Sequence, residues 1–371
     1  MRDLTRIWLC LLLGVGQALA SDFDWEVRRF SGRDYVSVEK ITEFYDLPRG
    51  VKPENKSLSL VKGRRSLLFS LGSREVEING AKYVLSFPVM EKDGVYWVSR
   101  MDLGKTIEPA LRPERVPGIK PFTTVILDPG HGGRDKGAAS PYEREKNFAL
   151  DVARGVRNEL RKAGVHVVMT RNSDEFIELH DRAALTNARS SAVFVSLHFN
   201  ASPNREANGL EIFSVTPRGS PSSEYDELLV RDMVEEYGNA NEVQSFTLAH
   251  AIQHALQGAK LNMFDRGVKR ARFAVLRLTK VPAVLVEGGF LSHPEDAKRV
   301  ASKEWRHTYA SAIATGILEF QKLAAHKTAP RLAADYRKFP SLPTTTVAAL
   351  PRPTPVAGGL NLRELPESGS D

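Results

Sequence analysis

The chain has 371 residues, of which 42% are apolar and 26% charged, and its formal net charge is +7. Those proportions belong to a folded soluble protein and exclude a largely disordered one; the length suits two domains, or one domain with appendages. The positive balance favours anionic partners, and nucleic acid, anionic lipid and an acidic cell-wall polymer all satisfy it.

The first twenty residues point to export. Arg2 and Arg6 precede the apolar run "IWLCLLLGVG", and "ALA" at 18–20 supplies a small-x-small cleavage site, so 1–20 reads as a signal peptide. The run is shorter than the roughly 20 apolar residues of a membrane span, which predicts no stable insertion after cleavage. The one cysteine, Cys10, lies inside this segment. A mature chain without thiols has no disulfides, and any zinc must be held by His, Asp or Glu.

Residues 22–115 read as a small α+β domain. "DYVSVEKITEFYDL" is a short strand running into a helix, and Asn79-Gly80 and Asp93-Gly94 are hairpin turns between short strands. The unit carries no His/Asp/Glu grouping of metal-ligand spacing. Its hairpins, with "ING" and "GVYWVS", loosely resemble the small N-terminal domain named after copper amine oxidases, a likeness that implies a fold and no copper. The three prolines of "LRPERVPGIKPF" mark a linker, placed at 116–122.

From 123 to 325 strands and helices alternate, which predicts an α/β domain: a mostly parallel sheet covered by helices on both faces. "TTVILD" is a buried strand. In "EKNFALDVARGVRNELRKAG", Phe148, Val152, Val156 and Leu160 recur every four residues and Gly164 stops the helix. Strands follow at "VHVVMT", "AVFVSL", "GLEIFSV" and "AVLVEGG", and helices at "DRAALTNARSS", "SFTLAHAIQHALQ" and "ASKEWRHTYASAIATGILEFQKLA". The segment 216–244 reads as an insertion, with Leu228, Leu229, Met233 and Val234 on one side of an acidic amphipathic helix that would lie over the cleft. Residues 327–371, rich in Pro, Ser and Thr, read as a disordered tail.

Four side chains stand where α/β sheets gather their ligands, beyond the carboxyl ends of the strands. His131 follows "TTVILD", His198 ends "AVFVSLHFN", Glu287 ends "AVLVEGG", and Glu145 opens the helix at "EKNFAL". Two histidines and a carboxylate suffice for a catalytic zinc, which leaves one position for water. A second carboxylate, off the metal, moves the proton from that water to a leaving amine. Spacing alone leaves open which of Glu145 and Glu287 takes which role. The loop "GHGGRDKGAA" lacks the Lys-Ser/Thr pair of a phosphate loop. Its glycines, Gly130, Gly132 and Gly133, read as a tight turn leaving room for a wide polymer.

The blocks "ILDPGHGGRDKGA", "EKNFALDVA", "VSLHFNA", "SFTLAHAIQHAL", "DRGVKRARFAVLR" and "PAVLVEGGFLSHPED" occur in the order found in the zinc-dependent N-acetylmuramoyl-L-alanine amidases of the Amidase_3 family, which this region resembles over 123–325. The resemblance implies that His131, Glu145 and His198 are zinc ligands and that Glu287 is the catalytic carboxylate. It implies hydrolysis of the amide between N-acetylmuramic acid and L-alanine in peptidoglycan, in cell-wall remodelling or daughter-cell separation. Peptidoglycan is then the partner, an activator protein is conceivable, and nucleic acid is not a partner. The implied location is the periplasm or the cell wall. Two departures stand out: His293 where the family has Asn, and a shortened stretch before the glutamate that makes Glu143 a rival to Glu145. A catalytically silent peptidoglycan-binding regulator with the same fold is the alternative; a scaffold has no need of all four residues. A zinc peptidase acting on proteins is disfavoured by compartment and by motif order.

The remaining polar candidates have plainer readings. "HAIQH" at 250–254 has zincin spacing without the water-activating Glu, so His250 and His254 read as exposed or packing residues. Surface or core positions suffice for His166 and His307. Arg171, Asp174 and Arg182 read as solvated or structural. Asn200 reads likewise, with hydrogen bonding to a ligand group as its sharper role. "DRGVKR" at 265–270 reads as a solvated loop or a contact for the acidic stem peptide.

Overall fold

The computed structural model describes residues 23–52, 57–259 and 261–336; the expected signal segment, Cys10 and the tail beyond 336 lie outside the described residues. No described helix is long and apolar enough to cross a membrane.

The N-terminal unit runs β1 (Val27–Phe30), β2 (Arg33–Ser37), α1 (Val38–Tyr45), β3 (Arg49–Lys52), β4 (Ser57–Lys62), β5 (Arg65–Ser70), β6 (Glu75–Ile78), β7 (Ala81–Val84), β8 (Met90–Lys92) and β9 (Val95–Ser99). Strand turns into helix at Ser37, whose hydroxyl caps α1 by accepting from the Lys40 amide. The two hairpin turns form as the sequence predicts. Asn79 and Gly80, at φ 54° and 82°, join β6 to β7, and Asp93 and Gly94, at φ 55° and 72°, join β8 to β9. Positive φ at both central positions matches the strand twist. The unit ends in a helical stretch, α2 (Arg100–Asp102), a π-helical turn (Leu103–Ile107) and α3 (Glu108–Leu111).

The second unit comprises β10 (Thr124–Pro129), α4 (Glu145–Lys162), β11 (His166–Met169), α5 (Leu179–Asn187), β12 (Ala192–Asn200), β13 (Leu210–Val215), α6 (Glu242–Gly258), β14 (Asp265–Ala271), α7 (Ala274–Arg277), β15 (Ala283–Phe290), α8 (Pro294–Ala301), α9 (Lys303–His326) and α10 (Ala333–Tyr336). Its strands lie in the order β11-β10-β12-β15-β13-β14. The first four are parallel; β13 runs against β15, and β14 follows β13. The sheet is thus mostly parallel, as predicted, and β12 and β15 are buried almost throughout because both faces are covered. Val193, Val195 and Leu197 face the core shared with α4, α6 and α9, while Ala192 and Phe194 face the smaller core under α5 and α7. From β10 the chain crosses to β11 on one side and then returns to β12 on the other. That reversal opens a crevice between the carboxyl ends of β10 and β12.

Several boundaries differ from the sequence expectation. β14 pairs with β7 at Val268–Tyr83, so one eleven-stranded sheet runs through both units. Within the expected linker, Val116, Ile119 and Phe122 are buried in the main core; its prolines prevent regular structure but not apolar packing. The expected tail is ordered as far as Tyr336: Arg331 pairs with Glu319, Asp335 with Arg64, and the Ala333 amide donates to His254 Nδ1 at 3.2 Å. "DRGVKR" is a strand rather than a loop, its alternation hidden by charges.

The insertion at 216–244 also departs from expectation. It forms two short 3-10 turns (Val230–Met233 and Tyr237–Asn241), not an α-helix, and Leu229, Val230, Met233 and Val234 face solvent. Because β13 runs against β15, the insertion leaves the sheet at the end opposite the crevice. It is anchored there, with Arg272 on Asp232, Arg277 on Glu236 and Asn241 on the Lys280 carbonyl. An apolar helix covering the cleft is therefore not what this segment provides.

Candidate metal centre

Past β10 the chain bends through Gly130, His131, Gly132 and Gly133. His131 has φ +57°, a left-handed conformation that few non-glycine residues adopt. Two buried arginines hold this bend by its carbonyls. Arg171 donates to the carbonyls of Pro129 and Gly130, and Arg182 to those of Pro129 and His131. Arg182 also pairs at 2.7 Å with the fully buried Asp128, which accepts from Thr170 and Ser196 as well. Burial would raise the Asp128 pKa; Arg182 and these hydroxyls outweigh it and hold the carboxylate below its ordinary value. Asp174 accepts from the Gly133 amide and pairs with Lys146. Arg171, Asp174 and Arg182 are thus structural, and two of them are far from solvated.

The glycines make room for protein, not for a polymer. A Cβ on Gly130 would lie 2.2 Å from Cε1 of His198, and one on Gly132 would lie 2.0 Å from the Glu175 carbonyl oxygen. Gly137, at φ +61°, is equally constrained, since a Cβ there would lie 2.5 Å from Oε2 of Glu145.

Into this frame come His131, Glu145 and His198, all buried, each offering one ligand atom within 4.8 Å of the others. Glu145 Oε1 lies 3.0 Å from both His131 Nε2 and His198 Nδ1. Backbone amides fix that carboxylate from outside, Ala138 on Oε2 at 2.8 Å and Phe199 on Oε1 at 3.1 Å. Asp135 Oδ2 sits 2.8 Å from His131 Nδ1, which orients the ring with Nε2 inward. Such an outer carboxylate is the usual partner of a metal-ligating imidazole. For Glu145, burial is outweighed by hydrogen bonds from His131 and His198, so its pKa is lowered. For His131, burial is outweighed by Asp135 and Glu145, and its pKa rises to about 10. Two imidazoles and one carboxylate at this spacing form a donor set that suits zinc.

Glu287 stands beside this group. It pairs in register with His198 on β12 and with Glu211 on β13, so the three side chains leave the same face of the sheet. Burial, then the charges of Glu145 and Glu211, push its carboxyl well above the ordinary carboxylate value, and its Oε2 is buried with no hydrogen-bond partner. Asn200 donates to Glu211 Oε1 at 2.6 Å.

Glu143, the rival, is exposed, accepts from the Arg144 amide and is outside the group. His250 and His254 are fully buried elsewhere, packed edge to face at 4.5 Å, with Tyr83 of β7 2.7 Å from His250 Nδ1. His166 is exposed at a strand start, and His307 is exposed on α9. His293 caps α8: its Nδ1 accepts from the Asp296 amide at 3.2 Å. Sequence reading passed over Asp128 and Asp135. The available signal was position, one acid at the strand end and one four residues past His131.

The structure is thus an α/β protein with a mostly parallel sheet, a two-histidine, one-carboxylate cluster that could hold a metal ion at its crevice, and a buried acid beside that cluster. A family model described as N-acetylmuramoyl-L-alanine amidase, Amidase_3, matches residues 125–319, and the chain belongs to that family. It is 34% identical over 216 residues to N-acetylmuramoyl-L-alanine amidase AmiC of Neisseria meningitidis, a match covering 53% of this chain and 52% of that protein. It is 30% identical over 222 residues to AmiA of Escherichia coli, covering 53% of this chain and 75% of that one. The chain thus spans about half the length of the Neisseria relative. The solved structure of AmiC2 of Nostoc punctiforme matches with 31% identity and a TM-score of 0.45, over 55% of this chain and 98% of that one.

Proposed function

We propose that this protein is an exported, zinc-dependent amidase that hydrolyses the bond between N-acetylmuramic acid and L-alanine in peptidoglycan, and so acts in wall remodelling or daughter-cell separation. The observation that carries the reading is the gathering of His131, Glu145 and His198 within 4.8 Å beside a fourth group, Glu287, whose Oε2 is buried and unpartnered. His131, Glu145 and His198 would hold the ion, with Asp135 fixing the tautomer of His131. An ion held there supplies Lewis acidity, which makes water more acidic and polarises an amide carbonyl.

The chain's own residues do the rest. Glu287, shielded from bulk water, takes the proton that water loses on adding to the carbonyl carbon. As the C–N bond breaks it returns that proton to the departing nitrogen, so the acyl half leaves as a carboxylic acid and the peptide half as a free amine. Its raised proton affinity suits a group that must hold a proton between the two steps. The expected signal segment at 1–20 supports export, and the family resemblance favours the periplasm or the cell wall as the destination. The test is digestion of purified peptidoglycan with and without chelator, followed by mass analysis of the new termini. Chelator-sensitive release of peptides with free L-alanine amino ends is expected; any other new terminus would overturn the reading.

A further inference from the structure

The row of side chains on this sheet face does not stop at Glu287. Glu211 on β13 is buried and pairs through Oε2 with two cations of β14, Arg266 Nε at 2.7 Å and Lys269 Nζ at 2.5 Å, while Asn200 takes its other oxygen. One carboxylate thus faces two positive charges. Burial notwithstanding, Lys269 and Arg266 lower the Glu211 pKa to about 2. These three groups alone sum to +1, and Glu224 adds a further negative charge felt at Glu287. Glu211 is 6% exposed at its side chain, whereas Arg266 and Lys269 are 29% and 18% exposed, so the surplus charge is on the solvent side. Both cations are held in place: the Arg266 guanidinium lies 5.0 Å from the Phe290 ring centroid and Lys269 Nζ 5.8 Å from that of Phe213. Two cations on a rigid sheet, neither fully used by its one acid, are a seat for an anion.

The order of the strands says which anion. Across the sheet come β10 and β12 with the metal-ligand histidines, then β15 with Glu287, then β13, then β14 with the cations. The carbonyl of a scissile amide belongs at the metal end and its nitrogen at Glu287, so the amine half of the substrate extends toward β14. At about 4.8 Å per strand, β14 lies roughly 10 Å beyond Glu287, the reach of about three extended residues. We infer that Arg266 and Lys269 form a subsite for a carboxylate on the peptide half of the substrate, about two to three residues past the alanine whose nitrogen is released. This rests on the amidase reading above and deepens it by naming what selects the peptide.

The test compares synthetic muramoyl-peptides whose peptide carboxylates are free with the same peptides amidated, on the wild-type chain and on Lys269→Met and Arg266→Gln. The wild type should show a KM about tenfold lower for the free acids at similar kcat. Each variant should bring the KM ratio between the free and amidated peptides close to one, whatever the change in kcat common to both substrates. Equal KM for both substrates on the wild type would overturn the subsite without any variant being needed. A KM ratio unchanged in a variant, with equal losses on both substrates, would show a merely structural ion cluster and overturn it as well. A wild type that cleaves neither substrate would overturn the amidase reading, and the subsite with it.

Discussion

His198 and Glu287 occupy paired positions on adjacent parallel strands, so one sheet face presents a metal-ligand candidate and a free acid side by side. The pairing is a consequence of register. Val195–Val284, Ser196–Leu285 and Leu197–Val286 are aligned below them, all buried, and a slip of one residue would turn Glu287 to the opposite face. The apolar strands therefore fix the chemistry as well as the fold.

Removing the acid while keeping its shape separates its two conceivable roles. Glu287→Gln leaves His131, Glu145 and His198 untouched, so zinc content by elemental analysis should stay near the wild-type value. Peptide release from purified sacculi should fall by at least about 100-fold, the usual worth of a general acid/base. Release within a few-fold of wild type would refute the proton-handling role, and lost zinc would make Glu287 a ligand.

Asp135 tests the outer layer. It is partly exposed; its Oδ2 holds His131 Nδ1 at 2.8 Å, and its Oδ1 accepts from the Gly137 amide at 3.1 Å. Asp135→Asn should weaken zinc binding about 10- to 100-fold, measured by competition with a chromophoric chelator, with the melting temperature of the chelated protein little changed. Unaltered affinity would remove Asp135 from the account of the site.

Much of this site was legible before the structure, because apolar runs mark buried parallel strands and ligands gather at their carboxyl ends. His131, His198 and Glu287 each follow such a run, and Glu145 opens the four-residue periodicity of α4. What was illegible is long-range pairing. Arg171 and Arg182 look like surface charges until the carbonyls of the His131 bend are seen to need donors. Arg266 and Lys269 hide a strand because both pair with one acid, Glu211, some 55 residues back in the chain. The insertion was misplaced because the sequence does not say that β13 runs antiparallel, which sends the chain to the far end of the sheet.

Gly130 offers a test that leaves every candidate ligand in the sequence. An added methyl would lie 2.2–2.5 Å from three atoms of the His198 ring, closer than any contact allows, so the ring must move. Gly130→Ala should therefore lose most of its zinc and activity while keeping the far-ultraviolet circular dichroism of the parent. Full zinc occupancy in this variant would mean that His198 tolerates displacement, against its assigned place.

The buried pair His250 and His254 predicts how stability depends on pH. Burial lowers the pKa of both, that of His254 to about 4, so both are neutral in the folded chain. His254 Nδ1 accepts from the Ala333 amide, and a proton there would break that bond and charge a dry site. The unfolded chain binds protons near pH 6.5, so the contribution is whole above that pH. It is lost as pH falls toward 4, by about 3 kcal/mol for His254. Buried Asp102 works in the opposite sense, since burial raises its pKa to about 6 and protonation favours the folded form, so the comparison must be differential. His254→Asn keeps an acceptor near Ala333 and does not titrate. Its melting temperature should lie below that of the wild type at pH 7.5, and the gap should narrow or reverse by pH 4.5. A gap that stays constant across that range would show that the proton affinity of His254 is not perturbed by folding.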